Sequence, residues 1–149
     1  MQLVIFIGLP ATGKSSFYQN RFFRSHVRVN RDMLRTKHRE ALLVDACLAG
    51  KTPFVLDNTN LTKMERGIYL SKAAASRFEV HGYFFESKVT DALSRNSMRP
   101  HEDQVPEVAI RDGCKRLQLP NREEGFDQLF FVRFDPIQGF MVDNWRHEV

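Results

Sequence analysis

Cysteine is scarce. Cys47 and Cys114 are the two in 149 residues, and they form neither a C-x-x-C pair nor a zinc-type cluster. That argues against a disulfide framework or a cysteine-built metal site and predicts two buried small hydrophobes. Long apolar runs are missing too. No stretch approaches the ~20 residues of a membrane span, so no membrane partner is expected. The N-terminus lacks a basic segment and a small-residue cleavage site, so the expected compartment is the cytoplasm. Repeats, low-complexity tracts and long linkers are absent, which predicts one domain over residues 1–149.

An acidic excess is lacking as well. The net charge is +4 and the pI about 9.3, which points weakly to a polyanionic partner. Between residues 21 and 39 stand Arg21, Arg24, Arg28, Arg31, Arg35, Lys37 and Arg39 against one acid, Asp32. Two readings fit this stretch: a solvated surface, or a wall facing nucleic acid.

What is present is a phosphate-loop pattern. In "FIGLPATGKSSF", Gly8, Gly13, Lys14 and Ser15 match G-x-x-x-x-G-K-[ST] without departure. The glycines let the backbone turn its N–H groups inward on phosphate oxygens. Lys14 is spaced to reach the β and γ phosphates, and the Ser15 hydroxyl to ligate Mg²⁺. The nucleotide contacts are expected from Gly8, Leu9, Pro10, Ala11, Thr12, Gly13, Lys14, Ser15 and Ser16. The apolar run before the loop predicts a buried parallel strand, and the segment after it a helix.

Strands alternate with helices from there on. Strands are predicted near 26–30, 52–57, 78–86 and 126–135, with an edge hairpin returning through "PIQGFMV". Helices are predicted from about Met33 to Leu48, over 62–77 with Leu61, Met64 and Ile68 inward, over 88–99, and from Pro106 with Ile110, Cys114 and Leu117 on one face. Phe126, Phe130, Phe131, Phe134 and Phe140 are mostly assigned to core. The alternation implies an α/β three-layer sandwich with a mostly parallel sheet. Sites in such sheets lie beyond the carboxyl ends of the strands.

At those ends stand "NRD" (Asn30, Arg31, Asp32) and "DNTN" (Asp57, Asn58, Thr59, Asn60). Asp32 reads either as a base for an incoming hydroxyl or as a helix N-cap. Asp57 reads either as an acid holding a Mg²⁺-bound water or as a turn or cap residue. Arg95 and Arg99, four apart in "RNSMR", read either as a guanidinium pair on a lid at about 95–106 or as two surface arginines.

The string "GLPATGKSSF … VNRDMLR … AGKTPFVLDNTNLTKMER … ALSRNSMR" resembles the kinase domain of 5′-hydroxyl polynucleotide kinases, from about residue 2 to residue 118. The resemblance implies a P-loop kinase fold with a helical lid, and ATP and Mg²⁺ as cofactors held by Lys14 and Ser15. It implies Asp32 as general base, Arg99 on the ATP phosphates, and Arg35 on the acceptor's phosphate; Arg95 is expected beside Arg99 from the spacing of the pair. Arg31, Asp57, Asn58, Thr59 and Asn60 complete the expected acceptor side. The expected partner is the 5′-hydroxyl end of DNA or RNA, and the expected product a 5′-phosphate useful in repair. Phage members carry the third-strand acid one residue later, where this chain has Asn58; "DNTN" is closer to the animal form. No D-x-D-G-T phosphatase signature is present, so a stand-alone kinase is expected. Two other functions fit the same scaffold: a phosphotransferase for a small metabolite, and a regulatory module that hydrolyses ATP slowly.

Overall fold

The computed structural model describes residues 1–146; the last three positions of the expected 1–149 domain lie outside the described residues. Strand β1 (Gln2–Ile7) runs into the glycine loop and then helix α1 (Lys14–Arg21). Strand β2 (Val27–Val29), helices α2 (Arg31–Leu34) and α3 (Lys37–Ala49), and strand β3 (Phe54–Leu56) follow. Helix α4 (Lys63–Ala75), strand β4 (Glu79–Phe85), and helices α5 (Val89–Ser97) and α6 (Glu107–Arg116) lead to the hairpin β5 (Gln128–Asp135) and β6 (Gly139–Asn144). The sheet order is β2-β3-β1-β4-β5-β6, parallel except for β6. Among the described residues no helix is long and apolar enough to cross a membrane.

β1 is central and buried on both faces, and its alternation divides the core. Leu3, Ile5 and Ile7 meet Val44, Cys47 and Leu48 of α3 and Leu70 and Ala73 of α4. Val4 and Phe6 meet Phe17 and Tyr18 of α1 and Phe22 just after it. This is the expected three-layer arrangement. A third cluster, Leu9, Leu61, Ala92 and Ile110, fixes α5 and α6 beyond the strand ends. There a Cβ on Gly113 would stand 3.1 Å from Leu9 Cδ2.

Four sequence expectations change. The helix from Met33 to Leu48 is two helices: Arg35 takes φ 77°, a left-handed conformation, and Thr36 starts α3 by accepting from Arg39 N–H. On α4, Met64 and Ile68 face solvent, while Arg66, Leu70 and Ala73 face inward. Apolar spacing missed this because a charged residue opens the buried stripe; the Arg66 guanidinium is satisfied by Glu124 and the carbonyls of Asn60 and Leu61. Cys114 is exposed, and Gly113 holds the tight position in its place. Of the five phenylalanines Phe126 alone is fully buried, because β5 lies beside the edge strand and Phe134 near its end is exposed.

Candidate active site

The ends of β1, β2 and β3 open into one cleft of about 660 Å³. Pro10, Ala11, Lys14 and Ser15 form its floor, Asn30 to Asp32 and Asp57 to Asn60 its near wall, and Arg99 and Val105 its roof. It continues between α3 and α4 past Lys37, Ile68 and Lys72. Arg35, Arg95 and Ser16 are not among the lining residues. For Arg35 the reason is the helix break: it caps α2 and is exposed, rather than lying one turn along a helix from Asp32. Arg95 is half-buried on α5, whereas Arg99 follows the end of that helix, so the two do not share a helix face. Of the seven basic residues from 21 to 39, Arg31 and Lys37 line the cleft.

The phosphate loop is held tightly. Gly8 N–H donates to Thr59 O at 3.0 Å and Leu9 N–H to Ser87 Oγ at 3.1 Å. Gly13 has φ 94°, and a Cβ there would stand 3.2 Å from the Phe140 ring. Only glycine meets both conditions without strain. Lys14 is buried, and its ammonium donates to Gly8 O, Leu9 O and Thr12 Oγ1. Burial pulls its pKa down from 10.5 to about 8; Asp57 and Asp32 oppose this and Arg99 adds to it. All three charges therefore act on the Lys14 ammonium.

Asp32 and Asp57 stand in different surroundings. Asn30, not Asp32, caps α2: its Oδ1 accepts from Met33 N–H at 2.9 Å and its Nδ2 donates to Asp57 O at 2.6 Å. Asp32 is thus released from capping and stands exposed in the cleft, with no hydrogen bond or ion pair among the described residues. Asp57 is buried; its Oδ2 accepts from Ser15 Oγ at 3.1 Å and from Arg28 Nε at 2.8 Å. Ser15 and Asp57 are hard oxygen donors of the kind Mg²⁺ uses alongside water and nucleotide phosphates. Among the described residues no cluster of three or more His, Cys, Asp or Glu could hold a metal by itself.

Sequence reasoning missed four further residues. Glu40 on α3 is 1% exposed and accepts from Arg31 Nε and Nη2, Asn58 Nδ2 and Tyr69 OH. Burial alone would raise its pKa, but these donors outweigh burial and lower it. Tyr69 is pushed up to about 12 by burial and by that carboxylate. Asn58 Oδ1 in turn accepts from Arg31 N–H at 2.9 Å, so the ends of β2 and β3 are tied together. Arg28 projects from β2 onto Ser15 and Asp57. Asn96 closes the 96–105 loop, donating to Val105 O at 2.8 Å and accepting from Val105 N–H at 3.0 Å, and so sets the place of Arg99. A charged residue at a helix position otherwise filled by apolar neighbours is the signal for Glu40; nothing in the local sequence marks the other three.

The chain is similar to proteins of known sequence and structure. The bifunctional polynucleotide phosphatase/kinase of Schizosaccharomyces pombe is 27% identical over 152 residues, covering 98% of this chain and 36% of that protein. The chain thus spans about a third of that relative's length. Among solved structures, Chaetomium thermophilum Kti12 in complex with ADP-AlF3 superposes with a TM-score of 0.69 at 18% identity, covering 91% of each chain. A gluconokinase from Sinorhizobium meliloti 1021 gives 0.63 at 15% identity, covering 89% of this chain and 82% of that one. These two establish the shared P-loop kinase fold. The model of the AAA domain family matches residues 3–120, from the first strand to just past α6, and the chain therefore belongs to that family of P-loop proteins.

Proposed function

We propose that the protein is an ATP-dependent polynucleotide 5′-hydroxyl kinase. The observation that carries this reading is Asp32. It is freed of capping by Asn30, exposed in the cleft, and close enough to Lys14 for its charge to act on the ammonium. A carboxylate so placed accepts the proton of an acceptor hydroxyl. Lys14, Arg99 and the loop amides stabilise charge on the phosphoryl group as it passes between oxygens. Ser15, with Asp57 through water, would hold Mg²⁺, which when bound neutralises phosphate charge. A polynucleotide as acceptor is supported by the similarity to the S. pombe polynucleotide phosphatase/kinase and by the excess of basic residues. On the acceptor side, Arg31 and Asn58 shape the wall and Lys37 offers a cation at the outer end.

A small hydroxyl compound is the second reading. It is favoured by the pairing of the outer cations: Lys72 with Asp45 and Arg116 with Glu65. The test is transfer from labelled ATP to a 5′-hydroxyl oligonucleotide, run beside a panel of small hydroxyl metabolites. Transfer to the oligonucleotide and not to the panel is expected. Transfer to a metabolite alone replaces the polynucleotide reading. ATP hydrolysis without transfer to either removes both.

A further inference from the structure

Two oxygens at the mouth of the phosphate loop already carry a cation from the protein itself. Arg28 Nε donates to Asp57 Oδ2 at 2.8 Å, and Arg28 Nη2 donates to Ser15 Oγ at 3.0 Å. Ser15 Oγ donates to the same Asp57 oxygen at 3.1 Å, closing a triangle. Asp57 is 2% exposed and Arg28 28%. The guanidinium also lies 5.9 Å from the centre of the Tyr18 ring. Charge-assisted hydrogen bonds of this length are among the stronger ones available to a side chain.

We infer that Arg28 is a built-in counter-ion that occupies the divalent cation's place on Ser15 and Asp57 and is displaced when nucleotide brings the cation in. This rests on the phosphate loop taking a nucleotide with its metal, not on the identity of the acceptor. Mg²⁺ binds oxygen at 2.0–2.1 Å in near-octahedral geometry. A guanidinium fork on the same two oxygens and a metal ion beside them exclude each other by space and by charge. Without nucleotide, one positive charge neutralises one carboxylate, so a free cation gains little by entering. With nucleotide, the added negative phosphates favour the divalent ion, and Arg28 moves off toward solvent along the Tyr18 ring. The consequence is ordered loading: the metal enters with the nucleotide rather than alone.

Mn²⁺, read by its electron paramagnetic resonance signal, is the probe. On nucleotide-free protein, Arg28→Met should bind Mn²⁺ at least ~10-fold more tightly than wild type, because a competent state populated below a tenth of the time weakens apparent affinity by that factor. With ADP present the gap should narrow. Equal nucleotide-free affinities in two folded proteins overturn the inference. Should Arg28→Met fail to fold, the Arg28 Nε–H resonance of the wild type decides. Mg²⁺ with ADP should shift it out of its hydrogen-bonded position, and an unchanged resonance overturns the proposal. Acceptor chemistry enters neither measurement. If wild type fails to bind ADP, the donor reading falls, while the nucleotide-free titration still decides Arg28.

Discussion

Arg31 and Glu40 hold each other through two hydrogen bonds, Nε to Oε2 at 3.1 Å and Nη2 to Oε1 at 2.9 Å, across a break between two helices. The pair ties the short helix that carries Asp32 to α3. Glu40→Gln should cost about 2 kcal/mol of stability in urea unfolding, less than for a fully buried pair because Arg31 is partly exposed and can rehydrate. The pH dependence has a definite sign. The folded-state pKa lies below the ordinary value, so Glu40 contributes stability above about 4.5, lost as pH falls through the folded value. The variant should therefore lose stability less steeply on acidification. An identical acid profile removes this role.

Asp32→Asn tests the base. Turnover on a 5′-hydroxyl oligonucleotide should fall by ~10²-fold or more with nucleotide affinity retained, as expected when a general base is lost and binding groups stay in place. Near-normal kcat would leave Asp32 as a surface carboxylate.

Lys14 links nucleotide binding to protons. Its ammonium titrates at about 8 in the ligand-free protein. A bound polyphosphate favours the charged form and raises that value. Binding near or above pH 8 should therefore take up protons, and affinity should fall as pH rises further. Calorimetry at pH 8.5 in two buffers of different ionisation enthalpy should give different apparent enthalpies for wild type and matching ones for Lys14→Met. The same group makes folding stability rise between about pH 8 and 10.5, because the unfolded chain holds the proton longer.

Three cations should separate by kinetics. Arg99→Ala should depress kcat, since Arg99 lines the cleft with its charge reaching the Lys14 ammonium, where it would stabilise the transferred group. Lys37→Ala should raise KM for an oligonucleotide and lessen the salt dependence of its binding by about one unit of log–log slope. Arg35→Ala should change neither, because Arg35 lies outside the cleft. A raised KM for Arg35→Ala together with a normal Lys37→Ala would move the acceptor path to the other side of α2.

The sequence by itself determined the strand–loop–helix unit, the alternation that builds a parallel sheet, and the convergence of "NRD" and "DNTN" at the strand ends. These rest on local rules: apolar runs for buried strands, glycine spacing for the loop, and the fixed side on which parallel strands end. It also fixed the hairpin at the edge, and β6 pairs antiparallel to β5 as that turn requires.

Only the tertiary structure decided which charges pair. Both readings of Asp32 fitted the sequence until Asn30 took the cap. Arg28 and Arg35 look alike in one basic stretch, yet one meets Asp57 across 29 residues and the other lies outside the cleft, at a helix break where its φ is positive. Glu40 and Arg66, charged residues on helices, become core residues because partners distant in sequence satisfy them. Periodicity reports how often a side chain faces inward. It carries no information on which donor waits there, and for a buried charge that donor decides whether burial is tolerated at all.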